Sequence, residues 1–178
     1  MNNAIIASAS LAAGAAASNI TGNYYSGTMP TNASWTTSST SFADGTNSNG
    51  NALTQLYANG LSVAAAASNI AGITWTPAST TSAYIIEAII ALYGTATNAG
   101  VGASFYDGTT RFAYQAFNQA SVADVGIFLP LRGIYVPGTA SSVTVKIQLI
   151  AASGTAGIQN VEALSGIPVI QWTLVQIA

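Results

Sequence analysis

Apolar residues recur at every second position along much of this chain, which is the period of a strand with one buried face. The clearest case is "SSVTVKIQLIAA", where Val143, Val145, Ile147 and Leu149 fall on one side and Thr144, Lys146 and Gln148 on the other. "DVGIFLPLRGIYV" continues the pattern. "SWTTSSTSFA" is a Ser/Thr/aromatic run ending at Asp44-Gly45, and "ALTQLYANGLSVAAA" carries an Asn59-Gly60 turn. "GITWT" stops at Pro77, which lacks a ladder donor and marks a strand end. "SAYIIEAIIALYG" is apolar enough to be a buried helix, but its neighbours decide for a strand. In "VGASFYDGTTRFAYQAF" the pair Asp107-Gly108 separates two alternating runs, a strong hairpin signal. Roughly eight or more strands, with no helical period long enough for crossover connections, predict an all-β fold, an antiparallel β-sandwich.

The final segment, "SGIPVIQWTLVQIA", poses a problem. Ile170, Trp172 and Leu174 point to one side, while Ile167, Val169, Val175 and Ile177 point to the other, so both faces carry large apolar groups. One face belongs to the sandwich core. The other is expected to be covered by a sister chain, with Ile170, Trp172 and Leu174 at the subunit interface. Cover by a loop or by the N-terminal arm is the alternative.

Residues 1–30 form a separate Ala-rich zone that ends at Pro30 and is expected to be an arm, partly helical, leaving 31–178 as the sandwich domain. Ile5, Ile6 and Leu11 make a weak apolar stripe there, suited to attachment. "AIIASASLAAGAAA" is shorter than the roughly 20 residues that span a bilayer, and no basic n-region precedes it, so neither membrane insertion nor a secretory signal is expected. "AAASNITG" at 15–22 returns as "AAASNIAG" at 65–72, but the flanks differ and repeat architectures need more copies.

Charge narrows the partners. Only 4% of residues are charged, with three basic side chains, Arg111, Arg132 and Lys146, so no patch can neutralise a nucleic-acid backbone. A surface of small neutral groups gives little self-repulsion and tolerates close neighbours. Cysteine and histidine are absent, which removes disulfides, thiol and Ser-His-Asp catalysis and the usual zinc sites. Of the five acids, Asp44 and Asp107 precede Gly and are expected to cap turns. Glu87 interrupts an apolar strand; it either pairs with Arg111 or Arg132 at an outward position or makes a polar contact at a subunit seam. The glycines of "TNAGVGA" do not fit a dinucleotide site. Tyr24, Tyr25, Tyr106, Phe112, Tyr114, Phe117 and Tyr135 are expected to fill the core rather than bind sugar. No catalytic residue, cofactor or metal is expected.

Three segments carry a resemblance. "GITWTPASTTSAYIIEAII" resembles the turn, Ser/Thr-rich stretch and long apolar strand of phage head-fibre and tail-fibre jelly rolls. "SFYDGTTRFA" resembles their next hairpin, and "IPVIQWTLVQIA" their closing strand, with Gln176-Ile177 where Glu-Ile is common. The match covers about residues 34–178. It implies a TNF-like or C1q-like jelly roll that assembles as a homotrimer on a virion, its last strand near the threefold axis, with no catalytic residues. The expected function is therefore a structural virion surface protein of a bacteriophage, a capsid decoration protein or head fibre bound to other capsid or tail proteins. The alternatives are a receptor-binding tip that holds cell-surface glycans through loops 94–101 or 118–126, and a secreted adhesin or pilus-like subunit.

Overall fold

The computed structural model describes residues 22–29, 34–47, 52–66, 70–118, 126–159 and 170–178. Every regular element among them is a strand: β1 (Tyr24–Met29), β2 (Ser34–Thr37), β3 (Ala43–Asp44), β4 (Thr54–Asn59), β5 (Val63–Ala65), β6 (Gly72–Trp75), β7 (Tyr84–Gly94), β8 (Gly100–Tyr106), β9 (Arg111–Asn118), β10 (Gly126–Tyr135), β11 (Val143–Ala151), β12 (Ala156–Gln159) and β13 (Ile170–Gln176). They form two antiparallel sheets packed as a sandwich, so the all-β expectation holds.

In the first sheet β10, β7, β13, β1 and β4 lie side by side, and β12, paired with the last residues of β7 past the end of the β13 ladder, adds β2 at its outer edge. In the second the order is β5, β6, β11, β8, β9, with β3 added to β11. The inner quartets β1-β13-β7-β10 and β6-β11-β8-β9, reached by connections that pass repeatedly between sheets, make the eight-stranded jelly-roll arrangement.

β7 is a strand, not a helix, because each inward side chain of its alternation has core to meet. Tyr84, Ile86, Ala88, Ile90 and Leu92 are all fully buried, whereas Ile85, Glu87 and Ile89 on the other side are half-buried. Register then assigns the faces of its neighbours. Leu174, Trp172 and Ile170 pair with Ile86, Ala88 and Ile90 and are equally buried. Trp172 stacks on Phe105 of the opposite sheet, with centroids 5.7 Å apart. These three side chains therefore fill the chain's own core and are unavailable to a second subunit, which corrects the interface assigned to them. The outer side of β13 carries Gln171, Thr173 and Val175, a mixed face; Ile167 and Val169 lie outside the described residues.

The boundary at residue 30 is also corrected. Residues 24–29 are β1, hydrogen-bonded between β13 and β4, with Tyr25 and Met29 in the core. Tyr25 thus belongs to the sandwich rather than to an arm. Ile5, Ile6 and Leu11 lie outside the described residues.

At one edge the two sheets are closed by aromatic rings. Phe112 of β9 stacks on Tyr135 of β10 at 5.2 Å and 5°, and Trp75 meets both Tyr135 and Tyr84 edge-on. Gly133 makes this closure possible: a Cβ there would sit 3.0 Å from Phe112 Cδ2 and 3.2 Å from Ala113 Cβ.

Trp172→Ala removes a fully buried ring that the jelly roll has no other group to replace, and it should cost about 3–5 kcal/mol in urea unfolding. Gln171→Ala, one residue away on the outer face, should stay within about 0.5 kcal/mol.

Candidate functional site

Two outer faces carry unusual chemistry. On the first sheet, the even-numbered residues of β10 point away from the core. Phe128 is 62% exposed and Ile134 67%, with Pro130 and Val136 also exposed. Across the ladder Ile134 lies beside Ile85 and Pro130 beside Ile89, and Val175 continues the row on β13. Register places Arg132 opposite Glu87, and their side chains make a 3.8 Å ion pair in the middle of this patch. Glu87 thus takes the outward position beside Arg132, on the face that the patch occupies. Among the described residues β10 pairs on one side alone, and exposed apolar groups on such an edge strand are the kind of surface that further burial stabilises.

The outer face of the second sheet is polar and pre-organised. Lys146 of β11 donates to Asp44 Oδ2 at 2.5 Å, and Gln148 Nε2 donates to Asp44 Oδ1 at 2.8 Å. Arg111 Nε donates to Gln148 Oε1 at 2.7 Å. The Arg111 guanidinium lies 5.0 Å from the Tyr106 ring centroid and 5.6 Å from that of Phe42, while Lys146 Nζ is 5.4 Å from the Tyr106 centroid. Phe42 meets Tyr114 edge-on at 5.7 Å. Asp44 therefore does not cap a turn; it sits in β3 as the acceptor of two strand β11 side chains. Sequence spacing could not show this, since its partners are 102 and 104 residues away. Asp107 does hold its turn: its Oδ1 accepts the N–H groups of Thr109 and Thr110, and Gly108 takes φ +100°.

Of the seven aromatics assigned to the core, Tyr25 is fully buried and Phe112, Phe117 and Tyr135 pack against the core, whereas Tyr24 and Tyr106 are half-buried outside it and Tyr114 is exposed on the second outer face, which corrects the core role expected of these three. Burial, the negative charge of Asp107 and a hydrogen bond to that carboxylate push the Tyr135 hydroxyl up to about 12. Burial also raises Tyr25. Among the described residues no cluster of three or more acidic, His or Cys side chains could hold a metal, and no helix is long and apolar enough to cross a membrane.

No family model and no curated protein matches the chain. Solved structures with a similar fold include vertex protein P5 of PRD1, at 18% identity and a TM-score of 0.47, covering 88% of this chain and 97% of that one. Eiger TNF from S. frugiperda follows at 10% identity and TM-score 0.37, covering 88% and 94%. The VP2 protein of infectious bursal disease virus matches at 9% identity and TM-score 0.37, over 88% of this chain and 36% of that one.

Because the native state holds the Tyr135 proton more tightly than the unfolded chain, this contribution to stability is complete below pH 10 and is lost as pH rises toward about 12. The urea midpoint of the protein should fall across that window, and Tyr135→Phe should flatten the fall, leaving the part due to Tyr25.

Proposed function

We propose that the chain is a structural surface protein of a bacteriophage virion, a homotrimeric capsid decoration protein or head fibre. The observation that carries this reading is the apolar outer face of β10 and β7, with Phe128, Pro130, Ile134 and Val136 beside Ile85 and Ile89. In a chain with 4% charged residues, nothing electrostatic keeps copies apart. Closed rotational symmetry covers such a face on every subunit, whereas an open chain of contacts leaves one exposed at each end. The subunit contact is therefore moved from Ile170, Trp172 and Leu174 to the opposite side of the sheet, and Glu87 stays within it. The resemblance of residues 34–178 to phage fibre jelly rolls supports the virion setting. Residues 1–21 are assigned to attachment, with Ile5, Ile6 and Leu11 as the apolar contacts to a capsid or tail protein.

Light scattering at micromolar concentration should return about three times the 17.9 kDa chain mass. Ile134→Asp should return the single-chain mass with the strand circular-dichroism spectrum unchanged. A single-chain mass for the unaltered protein would contradict the assembly. Deleting residues 1–21 should preserve the trimer mass and abolish binding to purified particles; retained binding would remove the attachment role.

A further inference from the structure

We infer that the outer face of the second sheet binds an acidic saccharide, with Arg111 taking the carboxylate of a uronic-acid-type sugar and Tyr114 and Phe42 bordering the ring. This goes beyond the virion reading and does not depend on it.

The argument begins with the accounting of charge. Arg132 pairs with Glu87, and Lys146 pairs with Asp44, but among the described residues no carboxylate pairs with Arg111. Its Nε is fixed by Gln148, and the plane is flanked by Tyr106 and Phe42, so the side chain is held in place. Among the described residues the bond from Nε is the one that anchors the guanidinium, no acceptor meets its terminal Nη groups, and the residue is exposed. A guanidinium oriented in this way offers the paired donors that match a carboxylate bidentately, with little rotamer entropy left to lose.

The backbone beside it is bent at a cost. Ala103 pairs with Gln115 and Phe105 with Phe112, so Ala113 and Tyr114 together oppose the single residue Ser104, a β-bulge. Ala113 adopts φ +55°, the left-handed region that a residue with a Cβ rarely enters. Ser104 Oγ, fully buried at the same bulge, has no hydrogen-bond partner among the described residues. Bulges re-aim side chains, and here the outcome is Tyr114, 57% exposed, against Phe42 and with its hydroxyl donating to Arg111 O at 3.3 Å. An exposed ring next to a fixed cation suits a sugar, which presents an apolar face and polar rims.

A groove of about 490 Å³ lies farther along the β8–β9 ladder, bordered by Thr40, Gly100, Gly102, Ala116, Asn118 and Ile150. It falls within the size range of ligand clefts, about 300–1,000 Å³. Gly102 keeps it open, since a Cβ there would press within 3.1 Å of Ile150 Cγ2 and Gln115 O. From Gly102 to Tyr106 the strand advances about 13 Å, which favours a short oligosaccharide over a single sugar. Asn118 and Thr40 supply neutral hydrogen-bonding groups in the groove, and among the described residues no acid or cation lines it.

The test is titration of the full-length protein with hexagalacturonic acid by calorimetry and saturation-transfer NMR, with maltohexaose and hexaglutamate as comparators. Hexagalacturonic acid should bind, more weakly as salt is added, while maltohexaose should not. Arg111→Gln should weaken binding by about tenfold or more, Arg111→Lys should recover only part of it, and Tyr114→Ala should lower affinity several-fold with the thermal midpoint little changed. Failure of hexagalacturonic acid to bind, equal binding of maltohexaose or hexaglutamate, or undiminished binding by Arg111→Gln would each overturn the inference. Since all variants are read in solution, these outcomes are independent of whether the protein sits on a virion.

Discussion

The alternation of side chains along β7 is the constraint from which the remainder of the structure follows. This eleven-residue strand is hydrogen-bonded to β10 along one edge and to β13 and β12 along the other. Because the period of a strand is two, a slip of one residue at any of these ladders would drive Glu87 and Ile85 inward and expel Ile86 and Ala88. With Tyr84, Ile86, Ala88, Ile90 and Leu92 committed to the core, the inward faces of β10 and β13 are committed with them. What remains outside is determined by subtraction: Phe128, Arg132 and Ile134 on β10, Gln171, Thr173 and Val175 on β13.

The two outer faces are therefore unlike for a physical reason. The first sheet ends in a long edge strand that carries apolar groups and a single ion pair, a surface stabilised by further burial. The second sheet places the remaining two cations on its outside, where they stack on Tyr106 and lock Asp44 and Gln148 into one network. Of the three cations of the chain, two thus share one outer face, and the third, Arg132, is matched by Glu87 on the other. Association by one face and recognition by the other can then coexist without competing for the same residues.

Much of this was legible in the sequence. The Asp107-Gly108 hairpin, the alternation of β11 and the strand character of β7 followed from period and turn chemistry. Strand β1 was hidden because its inward positions are Tyr25, Gly27 and Met29, and a glycine leaves no mark in a hydrophobic pattern. The faces of β13 were assigned the wrong way round: Val175 and Ile177 matched Ile170 and Leu174 in apolarity, although Gln171 and Thr173 were the residues that distinguished them. Asp44 looked like a turn cap from the glycine after it, and only the pairing of β3 with β11 brings it to Lys146. The Tyr114 bulge has no local signal at all, since Ala113 is an ordinary residue held in an uncommon conformation by the strands around it.

The central claim, that the outer face of β10 and β7 is covered by sister copies, can be read directly because the chain contains no cysteine. Ile134→Cys introduces one thiol into the middle of that face. The account predicts slow maleimide labelling at micromolar concentration that accelerates as dilution dissociates the assembly. Labelling at the rate of a free surface thiol at every concentration would contradict it.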